Sequence, residues 1–418
     1  MPSETNSIHR RPKRNQKTDH PIPPIDASQP LPHLPHEIIV DILSRLPVKS
    51  LLRFRSVSKS WLSSTSCPEF VKTHLGIASK SRDYIHHSLI LSSTHPQFNV
   101  KSCSLNSLLS EELDNMVELD YPDKDPNHCM MIVGSCNGLV CIGTDWDSIF
   151  IWNPSTGQSK RLPSFGFSEE SGGFTMRFGF GCGESDYDYK VVVIFSDDGS
   201  WGSCETRVEV YTLKTDSWKR IRDFAYGIPT DYTGKFANGS LHWLAPGKGS
   251  GYTRVIASLD LAKEMYGEVL LPNYDDLGYG LRLFVSRGCL GALCVYPETR
   301  ADVWIRKEYG VRDSWTKLFT IPYRPVPWMN DLSTPLCISK NGEILMYFGQ
   351  QLGLYSLENE TFRKLLIPNF CPSLQLCTYV GSLVSPNSHH MVQRQHQKEK
   401  MKKALLSPRV GCRKFKVD

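Results

Sequence analysis

Three aspartates, Asp120, Asp123 and Asp125, form the first cluster whose side chains could bind a metal ion. A calcium-binding loop also needs a central glycine and a distal glutamate, which this stretch lacks. The glycine-rich run 247–251 lacks the spacing of a phosphate-binding loop. The polar turn 196–201 contains two aspartates but occurs only once, so it is interpreted as a hairpin loop. The sequence therefore predicts no metal site, no cofactor and no catalytic residue.

The 13 cysteines could bind zinc or form disulfides, but their spacing favours neither. Cys136 and Cys141 are five residues apart, as are Cys289 and Cys294, and the chain has no C-x-x-C pair and no histidine pair at zinc spacing. We therefore predict that the cysteines are small core residues in a reducing compartment.

Apolar residues between positions 34 and 61 predict a different chemistry, the binding of another protein. Ile38, Ile42 and Leu46 recur at four-residue spacing, as on one side of an amphipathic helix. Pro47 ends that helix, because proline lacks the backbone donor that a helix interior needs. So small a helical unit cannot bury this much apolar side chain, and the surplus should face a partner.

This segment resembles an F-box, through which substrate receptors attach to the Skp1 adaptor of cullin-based ubiquitin ligases. The motif residues stand in the family's order and spacing: Leu34-Pro35, Glu37-Ile38, Ile42-Leu43, Leu46-Pro47 and Arg55-Ser-Val57-Ser-Lys59-Ser-Trp61. The form Leu-Pro-Val-Lys-Ser-Leu at 46–51 is typical of plant members. An unusually hydrophobic helical hairpin is the alternative interpretation.

The resemblance implies contacts with a Skp1-like adaptor and, through it, with cullin-1. The candidate contact residues are Leu34, Pro35, Ile38, Ile42, Leu46, Pro47, Val48, Leu51, Phe54, Val57 and Trp61. Some of them must instead hold the helices together, and the sequence does not separate the two groups.

The composition, 40% hydrophobic and 22% charged over 418 residues, predicts a soluble protein of two or three domains. The longest apolar runs are far shorter than the roughly 20 residues that a membrane span needs. Residues 1–32 are polar and contain no apolar stretch, so we expect no signal peptide and a location in the cytoplasm, the nucleus or both.

The net charge of +5 belongs to the ends of the chain. Residues 387–418 contribute +7 and residues 1–30 contribute +2, so the body between them carries about −4. We therefore expect no nucleic-acid partner and no membrane partner. The basic ends are interpreted as disordered tails, with nuclear-import signals as the alternative.

A strand, a tight turn and a second strand recur five times between residues 128 and 368, about 50 residues apart as in kelch-like repeats. Such a sheet has two apolar faces, which it can bury only against neighbouring sheets. Strand-like runs at 88–92, 98–105 and 116–121 precede the copies, and one at 377–384 follows them. These three early strands and one late strand predict a sixth blade, in which strands from both ends of the domain pair and so close the ring.

We therefore predict a mainly β fold with a small α domain, in which an N-terminal helical F-box precedes a six-bladed β-propeller. Seven blades or an irregular sandwich are the alternatives. The predicted boundaries are a tail at 1–30, the F-box at 31–76, the propeller at 84–386 and a second tail at 387–418.

The predicted propeller is similar to the F-box-associated interaction domain of many plant proteins. The likeness lies in Gly134–Leu139, Ile151–Pro154, Phe178–Gly181, Asp188–Val191, Gly239–Trp243 and Tyr379–Leu383. It implies a non-catalytic subunit of a Skp1-cullin-F-box ubiquitin ligase that recruits a protein client for degradation. Family members include receptors that control immune-receptor levels and receptors that act in pollen–pistil rejection. The client stays open, with an immune receptor as one candidate.

The strand order predicts that loops joining blades share one face with the loops between second and third strands. The F-box should enter the closing blade from the opposite face. The aromatic residues in these loops are candidate client contacts: Trp146, Phe165, Trp201, Tyr226, Tyr232, Tyr274, Tyr279 and Trp328. Packing against neighbouring loops is the alternative for each.

Two other functions stay open at this point. The chain could be a Skp1-bound adaptor that does not cause degradation. It could also be a carbohydrate-binding or hydrolase propeller that carries an incidental F-box.

Overall fold

The structure is a computed structural model. It describes residues 34–387 except 82, 94–97, 111–115, 126–128, 146, 167–173, 184–187, 198–205, 248–253, 274–279, 297–298, 310–313, 323–333, 340, 349–350 and 366–373. The predicted tails lie outside the described residues, apart from residue 387.

Four helices form the N-terminal part: α1 (His36–Ser44), α2 (Val48–Phe54), α3 (Lys59–Ser66) and α4 (Pro68–Lys80). Prolines set two of their boundaries, since Pro47 separates α1 from α2 and Pro68 occupies the first turn of α4. The Ser58 hydroxyl accepts a hydrogen bond from the Trp61 backbone N–H at 3.1 Å and so caps α3. The predicted helix break at Pro47 is confirmed.

Six four-stranded antiparallel sheets follow. Blade 1 contains β1 (His87–Ser93), β2 (Asn99–Ser104), β3 (Val117–Glu118) and, as its innermost strand, β24 (Leu374–Val380). Blade 2 contains β4 (Met131–Cys136), β5 (Leu139–Asp145), β6 (Ser148–Trp152) and β7 (Ser159–Arg161). Blade 3 contains β8 (Phe174–Cys182), β9 (Tyr189–Asp197), β10 (Thr206–Thr212) and β11 (Ser217–Ile221).

The remaining blades repeat this order. Blade 4 contains β12 (Lys235–Ala237), β13 (Ser240–Pro246), β14 (Arg254–Asp260) and β15 (Met265–Val269). Blade 5 contains β16 (Gly280–Ser286), β17 (Cys289–Tyr296), β18 (Arg300–Arg306) and β19 (Trp315–Pro322). Blade 6 contains β20 (Thr334–Ile338), β21 (Glu343–Phe348), β22 (Gln351–Ser356) and β23 (Thr361–Leu365).

The closing blade confirms the predicted combination of three early strands and one late strand. Ile90 of β1 pairs with Cys377 of β24 on one side and with Ser102 of β2 on the other. The strand bounds differ from the sequence-based expectation, since the run predicted at 116–121 is the short β3 (Val117–Glu118) and the run predicted at 377–384 is β24 (Leu374–Val380). The predicted strand 98–105 ends at 104, because a short helix, α5 (Leu105–Leu109), buries Leu105 and Leu108 beside blades 1 and 6.

The core lies between the blades and follows the two-residue period of the strands. In β9, Val191 and Val193 pack toward blade 2, whereas Val192 and Ile194 pack toward blade 4. All four are fully buried, and burying each side chain stabilises the fold by about 1.5–3 kcal/mol. A strand buried on both sides explains the unbroken apolar run that starts after Lys190.

Hydrogen bonds donated by tryptophan side chains join neighbouring blades at the outer edge of the propeller. The indole N–H of Trp218 in β11 donates to the Pro163 carbonyl at 2.6 Å, just beyond blade 2's fourth strand. Trp315 in β19 donates in the same way to Leu270, which follows blade 4's fourth strand, at 2.7 Å. In blades 3 and 5, a tryptophan near the start of the fourth strand therefore holds the preceding blade.

Candidate functional site

An exposed apolar surface covers part of the helical domain. Ile38 and Ile42, each 48% exposed, lie one turn apart on α1. Leu34 is 55% exposed and Val57 61%, and Leu62 of α3 is 45% exposed. We call these five residues the docking patch. Leu62 was not among the predicted contacts.

The structure separates the predicted contact residues into surface and core. Leu34, Pro35, Ile38, Ile42, Pro47 and Val57 are exposed, and Leu46, Phe54 and Trp61 are half-buried. Val48 and Leu51 are buried in a cluster with Leu43, Phe70 and Leu383. Val48 and Leu51 therefore do not offer surface to a partner, because α2 turns them toward α4 and the propeller.

The segment that follows β24 connects the helical domain to the propeller. Leu383 belongs to the core of the helices, and Gly381 lies beside Val48. On the other side, the fully buried Asn153 donates two side-chain hydrogen bonds, to the Ser382 carbonyl at 3.0 Å and to the Val384 carbonyl at 2.7 Å. Residues 381–385 are therefore held between α2 and blade 2.

A second attachment lies in the linker between α4 and β1. The Tyr84 hydroxyl donates to the Ile338 carbonyl at 2.8 Å. Arg287 donates to the same carbonyl at 2.9 Å and to the Tyr84 hydroxyl at 3.2 Å, with its guanidinium 5.5 Å from the Tyr84 ring centroid. Tyr84 reaches this position with a φ of 54°, in the left-handed region.

These attachments fix the helical domain on one face of the propeller, which we call the F-box face. The turns between first and second strands lie there, including Asn137-Gly138 and Arg287-Gly288, whose positive φ angles suit two-residue hairpins. The loops that join blades lie on the opposite face, which we call the loop face. The predicted separation of the two faces agrees with this arrangement.

Neutral histidines lie where the helical domain meets the propeller. His74 is fully buried and donates through Nε2 to the Leu46 carbonyl at 2.9 Å. Its ring centroid lies 5.9 Å from that of His86. Burial lowers the pKa of both His74 and His86. Burial is also the main cause that lowers the pKa of His87 to about 4, with smaller contributions from the neighbouring His86 and Arg287 side chains.

The predicted client residues have different surroundings. Trp146, Trp201, Tyr274, Tyr279 and Trp328 lie outside the described residues. Phe165 is buried between Phe195 and Trp218, with ring centroids 5.5 Å away from each. Tyr226 is buried against Phe224, and its hydroxyl donates to the Gly267 carbonyl at 3.4 Å. Neither offers client surface, because both loops fold back onto blade cores.

Tyr232 is the predicted client residue that the structure leaves open, with 69% of its surface exposed. The Arg177 guanidinium lies 4.4 Å from its ring centroid and is itself held by the Pro229 carbonyl at 2.9 Å. The Tyr232 carbonyl accepts a 2.8 Å hydrogen bond from the Phe178 N–H on the innermost strand of blade 3. Tyr232 therefore presents a positioned aromatic ring close to the axis on the loop face.

Within the described residues, no group of three or more His, Cys, Asp or Glu side chains could hold a metal ion. Among the helices described, none is long and apolar enough to cross a membrane.

Comparison with known proteins matches both parts of the chain to families. Residues 31–72 match the F-box domain, and residues 91–386 match the F-box associated beta propeller domain. An F-box/kelch-repeat protein of Arabidopsis thaliana is 31% identical over 85% of this chain and 97% of its own length. The F-box protein CPR1 of Arabidopsis thaliana is 30% identical over 81% of this chain and 86% of its own.

Among solved structures, TolB of Acinetobacter baumannii superposes on 77% of this chain and 73% of its own, with a TM-score of 0.45 and 12% identity. So distant a likeness carries no argument about function. The F-box match ends within α4, the propeller match begins within β1, and the first of these relatives covers 85% of this chain. The chain belongs to the F-box proteins that carry an F-box-associated β-propeller domain.

Proposed function

We propose that this protein is the substrate-recognition subunit of a Skp1-cullin-F-box ubiquitin ligase. It docks on a Skp1-like adaptor, and through it on cullin-1, with the docking patch. It selects a protein client with the loop face and delivers it for ubiquitination and degradation, in the cytoplasm or the nucleus. The observation that carries the proposal is the exposed docking patch, which a small helical domain presents on the side away from the loop face.

The packing of the helices supports this role for the patch. Leu43 and Leu51 already fill the space beneath the helices, so Ile38 and Ile42 have no internal cavity to enter. A partner that covers the five patch residues removes their apolar surface from water, which is the main favourable contribution to protein association. The central residues of such a contact usually contribute most of the binding free energy.

In the proposed mechanism, this chain contributes the proximity and orientation of the client relative to the activated ubiquitin. Ubiquitin transfer is carried out by a conjugating enzyme held elsewhere in the ligase, so no catalytic group is needed here. Holding client and activated ubiquitin in one assembly raises their effective concentration. The attachments at Asn153 and Tyr84 support this role, because they hold the docking patch and the loop face in one orientation.

The test is the affinity of the full chain for a plant Skp1 homologue, measured by titration calorimetry. Ile42→Asp should weaken binding by roughly a hundredfold or more, since the contact would bury an unpaired carboxylate. Met265→Asp is the control, because Met265 is an apolar residue on β15, outside the patch, that is 64% exposed against 48% for Ile42. It should bind like the wild type.

Ile42 is half exposed, so the Ile42→Asp protein should retain the melting temperature of the wild type. Absence of binding by a folded wild type would overturn the proposal. Equal binding by wild type and Ile42→Asp would overturn the assignment of the patch.

A further inference from the structure

A cavity of about 430 Å³ runs along the axis of the propeller between the innermost strands. Its wall includes residues 132–138 of blade 2, 233–236 of blade 4 and 376–380 of blade 1. Ser79 of α4 closes part of one end, so the helical domain lies over the F-box end of the cavity. The volume falls within the range of small-molecule pockets, about 300–1,000 Å³.

The charges on the wall are all of one sign. Lys235 of blade 4 and Arg287 of blade 5 line the cavity, and the described lining residues include no aspartate or glutamate. Arg287 donates its described hydrogen bonds to neutral oxygens, those of Tyr84 and Ile338. His87 also lines the wall, and since burial lowers its pKa to about 4 it adds no charge at neutral pH.

Both cations belong to the F-box half of the cavity. Arg287 lies in the turn between β16 and β17. Lys235 lies three residues before Asn238, the first residue of the turn between β12 and β13 in the neighbouring blade. The charge of Lys235 also reaches across the axis. Burial raises the pKa of the Cys377 thiol on blade 1, opposite blade 4, and the Lys235 charge counteracts that rise.

Lys235 is half-buried in the wall and Arg287 is exposed at the rim of the cavity. With no carboxylate among the described lining residues, the two charges produce a positive potential that an anion would offset. This potential lies inside a body whose net charge is about −4, so it is local to the axis. Ser135 and Asn137 of blade 2 also line the cavity. Lysine and arginine together suit phosphate oxygens, which accept several charge-assisted hydrogen bonds.

We infer that the F-box half of the axial cavity binds a small phosphorylated molecule, held by Lys235 and Arg287. The inference is independent of Skp1 docking, since no patch residue lines the cavity. Such a ligand would connect blades 4 and 5.

The test is titration calorimetry of the full chain with inorganic pyrophosphate at low ionic strength. Lys235→Met should weaken binding by roughly tenfold or more, because it removes one charge-assisted contact. Lys235→Arg, which keeps the charge, should retain binding. Lys364→Met is the matched control, since it removes an exposed lysine from the outer strand β23. Its affinity should equal that of the wild type.

Absence of pyrophosphate binding by the wild type would overturn the inference, as would an equal affinity of Lys235→Met. An equal loss in Lys364→Met would assign the binding to diffuse surface charge and would also overturn it. Tighter binding of citrate than of pyrophosphate would contradict the phosphate class. Skp1 affinity, measured on the same samples, should be unchanged in every variant. It therefore distinguishes a failure of the anion-binding inference from a failure of the docking proposal.

Discussion

The two faces of the propeller differ in how they are built. The F-box face consists of short turns and of contacts that lock onto the helical domain, such as Asn153 with Ser382 and Tyr84 with Ile338. The loop face carries the longer connections, and its exposed aromatic among the described residues is Tyr232. The F-box face fixes the orientation of the helical domain, whereas the loop face presents exposed surface. Substitutions on the two faces should therefore change different properties.

The largest effect should follow from a change in the scaffold that both faces share. Trp243 is fully buried between blades 3 and 4, and its indole N–H donates to the Phe178 carbonyl at 3.3 Å. Trp243→Ala should lower the free energy of unfolding by about 3–5 kcal/mol, since it leaves a large cavity. Chemical denaturation followed by tryptophan fluorescence measures the loss.

The matched control for that substitution is Trp218→Phe on the outer edge. It keeps an aromatic ring but removes the hydrogen bond to the Pro163 carbonyl, so it should cost only about 1 kcal/mol. Equal losses for the two variants would mean that the outer edge matters as much as the inner core.

Acid should weaken the F-box face before the loop face. The pKa of His87 is about 4, chiefly because of burial, with smaller contributions from the neighbouring His86 and Arg287 side chains. That of His242 is also about 4, because burial outweighs a hydrogen bond to Lys235 and the Arg306 charge adds to the lowering. The unfolded chain binds these protons near pH 6.5 and the folded chain only near pH 4, so stability should fall as pH drops through that window.

Each histidine can contribute roughly 3 kcal/mol to this loss. Unfolding midpoints at pH 7.5, 5.5 and 4.5 would measure it, and His87→Asn should flatten the dependence. A midpoint independent of pH over this range would contradict the neutral buried histidines.

Asn153→Ala should loosen the helical domain without abolishing docking. The substitution removes two buried side-chain hydrogen bonds to residues 382 and 384, at a cost of about 1–3 kcal/mol. Amide hydrogen exchange of α2 should accelerate, whereas Skp1 affinity should stay within twofold, because the docking patch is untouched. Thr156→Ala, in the same turn, should leave the exchange rates unchanged, and equal acceleration there would argue against a specific role for Asn153.

The smallest effect on stability should come from the loop face. Tyr232→Ala removes an exposed ring and its contact with the Arg177 guanidinium, which should change the free energy of unfolding by less than about 1 kcal/mol. Client capture, assayed with the client once it is known, should nevertheless fall. Unchanged client capture would remove Tyr232 from the recognition surface.

Much of the fold could be predicted because its signals are local. Pro47 separates two helices by its own chemistry, and the Asn137-Gly138 pair predicts a hairpin wherever it occurs between strands. The hairpin at Arg287-Gly288 has no such signal, since arginine rarely adopts the positive φ of 51° found there. Only three strand-like runs precede the first full repeat, so the C-terminal run was predicted to be the fourth strand of blade 1 and to close the ring.

The site was harder to predict because exposure depends on residues far away in sequence. Leu51 and Ile42 look alike in the sequence, but Leu383 covers the side of the helices that Leu51 faces and leaves Ile42 open. Phe165 lies in a loop of the predicted class, and only the position of Trp218 in the next blade explains why it is buried. Periodicity identifies an apolar side of an element, whereas a contact 300 residues along the chain decides what covers it.

The position of β24 and Leu383 also sets the order in which a nascent chain can mature. The helices leave the ribosome before the propeller, yet Leu383, which completes their core, and β24, which closes blade 1, are made only after the strands of the other five blades. Until then the inner edge of blade 1 is unpaired, and open edges of this kind promote aggregation. A chain that terminates before residue 374 therefore lacks ring closure and an intact helical core together, so incomplete translation products should be recognised as defective by cellular quality control rather than compete for the adaptor.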